Sequence, residues 1–246
     1  MAKRKSGVSI HRPVIWVVGA SRGIGREIAK QFAFIGCRVC LSGRNKNELL
    51  SAVQEITNLG GKAFSFPCDI TQQRSIVSTA KSIRKQVGEI DVLINNAGIT
   101  VFKSFLDTSS QEFKDILDTN LYGHILCIKT VLPLMVRRKH GWIFNIISNA
   151  AVKTFEGSAA YTATKMGMLG LGRVLREELK DNGVKVINVI PGATETEMWS
   201  LKNRKKHGSR MMKPKSVAEA VLSVYQMPDD VVVDEIILRP LKGDID

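Results

Sequence analysis

The 246-residue chain predicts an α/β fold: a doubly wound parallel sheet of about seven strands flanked by helices. Three observations lead there. Seven short, nearly continuous apolar runs punctuate the chain, the mark of strands buried on both faces. Longer segments with helical periodicity separate them, and strands alternating with helices build parallel sheets. The first run ends in a glycine-rich turn that opens directly into a helical pattern, as in sheets that bind ligands beyond their strand ends.

The elements follow in order. VIWVVGA (14–20) is the first strand. In SRGIGREIAKQFAFIG, Ile24, Ile28, Phe32 and Ile35 recur at helical spacing. RVCLSG (38–43) is the second strand, and NKNELLSAVQEITNLGG is a helix with a glycine stop. KAFSFPCD is the third strand, and TQQRSIVSTAKSIRKQVG is a helix for which Thr71 is the expected N-cap. DVLINNAG, WIFNIIS (142–148), VKVINVI (184–190) and EIILRP (235–240) complete the set of strands. No linker, repeat or low-complexity segment divides the chain, so residues 13–246 are expected to form a single domain behind a basic, disordered tail at 1–12.

Composition narrows the classes. With 44% hydrophobic and 24% charged residues, the chain reads as an ordinary globular protein. No apolar run approaches bilayer-spanning length, and the N-terminus lacks the apolar stretch of a signal peptide, so the expectation is a cytoplasmic protein without a membrane partner. Cys37, Cys40, Cys68 and Cys127 are too scattered for a disulfide framework, and the four histidines are not spaced as a ligand set, so no metal is expected. The formal charge of +13 raises the question of nucleic acid. Its basic residues are not interleaved with aromatics and no nucleic-acid-binding motif is present, which argues against that partner.

The turn GASRGIG carries Gly19, Gly23 and Gly25, with Ser21, Arg22 and Ile24 between them, and leads into a helix. Glycines permit a tight turn and a close approach of pyrophosphate, and the helix N-terminus offers free N–H groups and a positive dipole. At the end of the second strand a carboxylate would accept a hydrogen bond from a ribose 2′-hydroxyl. Gly43 and Arg44 stand there instead, and with Arg22 they suit a 2′-phosphate. NADP(H) is therefore expected over NAD(H).

Taken together these residues resemble the short-chain dehydrogenase/reductase family, in its form of about 250 residues, over essentially the whole chain after the basic tail. The resemblance implies a Rossmann-type fold. Gly19, Gly23 and Gly25 are similar to the family's cofactor turn, with Val18 where threonine is usual. Asp69, followed by Ile70, matches the position that contacts adenine, and Asn95-Asn96-Ala97-Gly98 matches the family's NNAG. Pro191-Gly192 with Thr196 resembles the segment that fixes the nicotinamide carboxamide. Asn120, Ser148, Tyr161 and Lys165 match the catalytic tetrad, and Ser148 precedes Tyr161 by the usual 13 residues.

The tetrad has a physical logic. A spacing of four places Tyr161 and Lys165 on one helix face. A free phenol has a pKa of about 10, far from neutrality. An ammonium about 4 Å away at an effective dielectric near 20 contributes about 4 kcal/mol, enough to bring the phenol near 7. The family resemblance further implies that Lys165 binds the nicotinamide ribose, that Ser148 holds the substrate oxygen and that Asn120 anchors a water leading from Lys165 to solvent. Hydride transfer between nicotinamide and a carbonyl or alcohol is the implied reaction. The alternative is a sensor or regulator that binds NADP(H) without turnover.

Two regions bear on partners. Gly167, Gly170 and Gly172 interrupt the helix at 159–181, each costing about 1 kcal/mol relative to alanine, which points to close approach by another backbone. In the family this helix meets its counterpart in a neighbouring subunit, implying a homotetramer or a dimer. The stretch at about 193–215 corresponds to the family's substrate lid, and between Glu197 and Glu219 it has Lys202, Arg204, Lys205, Lys206, Arg210, Lys213 and Lys215 but no acid. That charge suits steering of an anionic or carrier-linked substrate, such as a 3-oxoacyl thioester, or else is a solvated surface. Met198, Trp199, Met211 and Met212 are candidates to line an apolar pocket. The ending VDEIILRPLKGDID is closer to branches acting on small hydroxy acids, aldehydes and ketones, so the substrate class stays open.

Overall fold

Seven strands form one parallel sheet in the order β3-β2-β1-β4-β5-β6-β7. The computed structural model describes residues 12–243; the expected tail, apart from Arg12, lies outside them. The strands are β1 (Val14–Val18), β2 (Arg38–Ser42), β3 (Lys62–Ser65), β4 (Val92–Asn95), β5 (Gly141–Ile146), β6 (Val184–Pro191) and β7 (Glu235–Leu238). The helices are α1 (Gly23–Phe34), α2 (Lys46–Asn58), α3 (Gln73–Gln86), α4 (Ser110–Leu117), α5 (Gly123–Arg138), α6 (Ala159–Leu179), α7 (Leu201–His207) and α8 (Pro214–Tyr225).

Strand alternation builds two cores. Ile15 and Val17 face one layer with Ile28, Phe32 and Val221, whereas Val14, Trp16 and Val18 face the other with Ile76, Ile83 and Val131. Both faces are covered, which is why each strand reads as an unbroken apolar run. Strand order reverses between β1 and β4, and a crevice opens there beyond the carboxyl ends of the strands.

Local structure departs from the sequence reading in four places. Thr71 does not cap α3: Asp69 accepts hydrogen bonds from its backbone N–H at 3.0 Å and its hydroxyl at 2.8 Å. The helix therefore begins one residue later than expected, at Gln73, behind Gln72, whose side chain makes no cap bond. Between α4 and α5 the chain makes a π-helical turn over Asp118–Tyr122, a feature that periodicity does not reveal. The run Ser110–Arg138 is long and apolar enough to span a bilayer by length and composition. Its apolar side chains, including Leu126, Cys127, Val131 and Met135, are nonetheless packed into the core. Finally, the basic part of the expected lid holds α7, a helix of seven residues that the sequence reading had not placed. All four cysteines are free and buried, and burial pushes the Cys37 and Cys40 thiols up to about 11 and about 12.

The glycines of α6 also have a different explanation. A Cβ at Gly172 would lie 2.2 Å from Asn188 Oδ1, and one at Gly167 would lie 3.0 Å from Leu121 Cδ2. These two accommodate side chains of the same chain, not a neighbour's backbone. At Gly170 a Cβ meets nothing within 4 Å. Asn188 is itself held in a ladder across the sheet: Asn95 Nδ2 donates to Asn145 Oδ1 at 3.0 Å, and Asn145 Nδ2 donates to Asn188 Oδ1 at 3.1 Å. All three amides are fully buried, and Asn188 Nδ2 donates on to the Leu169 carbonyl of α6 at 3.4 Å.

Substitution of the two glycines separates seat from surface. Gly172→Ala is expected to lower stability by about 2 kcal/mol or more through overpacking against Asn188. Gly170→Ala is expected to raise it by up to about 1 kcal/mol through helix propensity. Urea denaturation of the two variants beside the parent checks both signs.

Candidate active site

The glycine turn is built by exclusion. Gly19 has φ of +80°, and a Cβ there would come within 2.6 Å of Ala97 Cα. A Cβ at Gly25 would lie 2.3 Å from the Gly19 carbonyl oxygen. The loop after β4 is therefore clamped against the turn, and Asn96 Nδ2 donates to the Gly19 carbonyl at 2.7 Å. Arg22 precedes α1 with no side-chain cap, and no acidic residue occupies the first helical turn, leaving its N–H groups facing the crevice.

The crevice is a cleft of about 730 Å³. Gly19, Ser21, Arg22, Gly23, Ile24, Arg44, Asp69, Ile70, Asn96, Ala97, Gly98, Ser148, Tyr161, Lys165, Pro191, Gly192 and Thr196 all line it. Of the residues expected to bind cofactor or act in catalysis, Gly25 and Asn120 are not in the cleft lining. Arg22 and Arg44 are exposed at its edge, and Gly43 has room for a side chain, with Leu49 Cδ2 at 3.7 Å and Ser21 Cβ at 3.8 Å from a built Cβ.

At the inner end, β5 delivers Ser148 and α6 delivers Tyr161 and Lys165. Tyr161 and Ser148 line the cleft together. Lys165 is 3% exposed, its Nζ donates to the Ile146 carbonyl at 3.2 Å, and it sits 5.4 Å from the Tyr161 ring centroid. The electrostatics differ from the sequence argument. Burial pushes the Tyr161 phenol above its ordinary value, opposed by the Ser148 hydroxyl, and burial pulls Lys165 down to about 8. Desolvation outweighs the attraction expected to bring the phenol toward neutrality. The phenol is thus protonated at neutral pH, the form that can give a proton away.

Asn120 is fully buried and its amide is committed. Oδ1 accepts from Ile99 N at 2.8 Å, while Nδ2 donates to the Ile99 carbonyl at 2.8 Å and to Thr164 Oγ1 at 3.4 Å. Its side chain pins the β4 loop to α6.

The outer wall holds residues that sequence reasoning missed: Phe102, Phe155, Asn203 and His207. Phe102 stacks on Trp199 with centroids 6.2 Å apart. Their aromatic character was visible in the sequence, but loop residues show no periodicity that would direct them inward. Of the four apolar candidates, Met198 and Trp199 line the cleft. Met211 is buried elsewhere and Met212 packs on the main core. Lys202, Lys205 and Lys206 of α7 are exposed, Arg204 is half-buried, and Lys213 and Lys215 pair with Glu195 and Glu219.

Known proteins resemble the chain in sequence and fold. The family model described as short chain dehydrogenase matches residues 13–207. A sepiapterin reductase of Chlorobaculum tepidum is 34% identical over 239 residues, covering 94% of this chain and 98% of the relative. A 3-oxoacyl-[acyl-carrier-protein] reductase of Staphylococcus epidermidis is 37% identical over 183 residues, covering 74% of this chain and 75% of the relative. Among solved structures, an alcohol dehydrogenase from the archaeon Thermococcus sibiricus, complexed with 5-hydroxy-NADP, superposes with a TM-score of 0.87 at 27% identity. That alignment covers 96% of this chain and all of the other. Sheet order, glycine turn and matched length together place the chain in the short-chain dehydrogenase/reductase family of oxidoreductases acting on CH–OH groups.

Proposed function

We propose that the protein is an NADP(H)-dependent oxidoreductase that interconverts a carbonyl compound and its secondary alcohol. The observation that carries this reading is the buried Tyr161 phenol, beside buried Lys165 and lining with Ser148 the same cleft as the glycine turn. The cleft suits a dinucleotide: a side chain at Gly19 or Gly25 would close the turn, and the α1 N-terminus is open to a pyrophosphate. Asp69 with Ile70 would hold the adenine, Arg22 and Arg44 the 2′-phosphate, and Pro191, Gly192 and Thr196 the nicotinamide end. Bound there, the reduced nicotinamide supplies a hydride to the carbonyl carbon.

The chain's own groups do the rest. Ser148 holds the carbonyl oxygen by hydrogen bond. Tyr161 transfers its proton to that oxygen as negative charge develops on it. Lys165 stabilises the phenolate left behind and reaches the nicotinamide ribose. Asn120 keeps Ile99 and α6 in register. Ketones and aldehydes, small hydroxy acids and 3-oxoacyl thioesters are the substrate classes that fit. The segment at about 193–215 acts as lid over the single domain, with Met198, Trp199 and Phe102 against the substrate. The relatives' names agree on reduction and differ on substrate. Self-association as a tetramer or dimer would use the exposed face of α6, where Met166 is 43% and Val174 is 54% exposed.

Three outcomes are expected. Tyr161→Phe should lower kcat by about 100-fold or more while leaving NADPH affinity nearly unchanged, because it deletes the proton donor and preserves the ring. Initial rates and a fluorescence titration check this, and activity above about a tenth of the parent's would remove Tyr161 from the acid role. NADPH should be preferred over NADH by about tenfold or more in kcat/KM, about 1.4 kcal/mol. Gly43→Asp with Arg44→Ile should reverse that preference, and equal use of the two cofactors by the parent would contradict the assignment. Lys202, Lys205 and Lys206 replaced together by glutamine should lower kcat/KM for anionic ketones and flatten its salt dependence, with neutral ketones little affected. Equal losses for both would mean that α7 acts through shape.

A further inference from the structure

Three aromatic side chains line the cleft that holds Ser148 and Tyr161, each rooted beside a different part of the site. Phe102 lies just after the NNAG loop, Phe155 between Ser148 and α6, and Trp199 just after Thr196. Their loops are fixed by backbone contacts. Lys103 N donates to the Gly157 carbonyl at 3.0 Å, and Trp199 N donates to the Thr196 carbonyl at 3.1 Å. Gly157 makes the first of these possible: its φ is +71°, and a Cβ there would come within 3.3 Å of the Lys103 carbonyl oxygen. Ser158 Oγ donates to the Phe155 carbonyl at 2.6 Å, so the turn carrying Phe155 runs straight into the helix bearing Tyr161.

The rings are not spent on one another. Phe102 and Trp199 stack with centroids 6.2 Å apart and planes 25° apart, yet Phe102 is 55% exposed. Met198 lines the same wall, its Cε 3.8 Å from a Cβ built at Gly98. Apolar surface left open around a cleft is the usual mark of a ligand subsite. Aromatic faces favour offset or edge-on contact with another ring beyond what area burial alone gives.

Charge is distributed the other way. Among the described residues, the lysines and arginines in the cleft lining are Arg22, Arg44 and Lys165. The two arginines sit by the glycine turn, and Lys165 is buried beside the phenol with Nζ donating to the Ile146 carbonyl. A carboxylate next to the reacting carbonyl would need a cation or several donors of its own in place of water. Lys202, Lys205 and Lys206 of α7 lie outside the lining, where they act on a ligand's approach and do not hold it. Lys153 also lies outside it, with Nζ 5.4 Å from the Phe155 ring centroid. Asn203 and His207, one turn apart on α7, offer hydrogen bonds to a polar substituent.

We propose that the substrate is an uncharged aryl ketone or aldehyde, whose carbonyl reaches Ser148 and Tyr161 while its ring lies against Phe102, Phe155 and Trp199. The inference rests on the oxidoreductase reading above and narrows its substrate class.

The test separates binding from turnover. Trp16 and Trp142 are buried in the core, so a change in tryptophan fluorescence on adding a ligand to the enzyme–NADPH complex reports Trp199. The ligands are alcohols, which cannot react with NADPH: 1-phenylethanol, 2-octanol of equal carbon count, and mandelate, which carries a carboxylate beside the same ring. In a merely apolar cleft the more apolar 2-octanol would bind best. The aryl subsite predicts that 1-phenylethanol binds about tenfold more tightly than either of the others. Acetophenone should likewise exceed 2-octanone by about tenfold in kcat/KM. Phe102→Leu keeps an apolar side chain and removes the ring, and should bring both aryl-over-alkyl ratios down toward one. Tighter binding of 2-octanol or mandelate, no saturable change with any of the three, or ratios unchanged in the Leu variant would overturn the proposal. If 1-phenylethanol binds with the expected preference while no carbonyl compound is reduced, the oxidoreductase reading fails and the aryl subsite stands. Reduction of 2-octanone or benzoylformate in preference to acetophenone, with 1-phenylethanol not favoured in binding, keeps that reading and removes the subsite.

Discussion

The site depends on how α6 is seated. Tyr161 and Lys165 ride on that helix, and its distance from the sheet is set by the missing side chain at Gly172 and by Asn188 beneath it. Asn188 is the end of a ladder of buried amides running from Asn95 through Asn145 at matching registers of β4, β5 and β6. Amides in that position are costly unless paired. Once paired, they tie the strand that carries the NNAG loop to the strand leading to Ser148 and to the helix bearing the phenol. One polar line through the core therefore couples the floor of the cleft to its reactive wall.

Placing the helix this close also buries a cation. Lys165 is almost wholly removed from water, and the fall of its pKa to about 8 expresses that cost. The same burial keeps Tyr161 protonated. Together they describe a site poised to give a proton rather than to take one, so the environment, more than the pair's Coulomb attraction, decides the resting protonation states. Attraction between the two groups grows when the proton leaves, which is when a catalyst gains most from it.

The sheet was legible because both of its faces are covered: β1 needs Val14, Trp16 and Val18 for one core and Ile15 and Val17 for the other. The glycine turn and the Tyr161/Lys165 spacing were legible because each is a local pattern with a local reason. What escaped was set by contacts distant in sequence. Asn95 was legible only as part of NNAG, and its bond to Asn145 exists only once β5 lies beside β4. The π-helical turn at 118–122 coincides with Asn120 bonding to Ile99 and Thr164, neither of which is its sequence neighbour. α7 has no buried residue and no apolar face, so periodicity could not find it, although Ser200 caps it by accepting from Asn203 N at 3.2 Å. Thr71 has the right chemistry for an N-cap, but Asp69 captures it first.

The central claim is catalytic turnover, as opposed to cofactor binding alone. The most direct measurement is NADPH oxidation by the parent protein against a panel spanning neutral ketones, aldehydes, small oxo acids and 3-oxoacyl thioesters. The account predicts sustained oxidation, with stoichiometric alcohol, for at least one class. Tight NADPH binding with no oxidation across the whole panel would contradict it and leave a binding protein built on this fold.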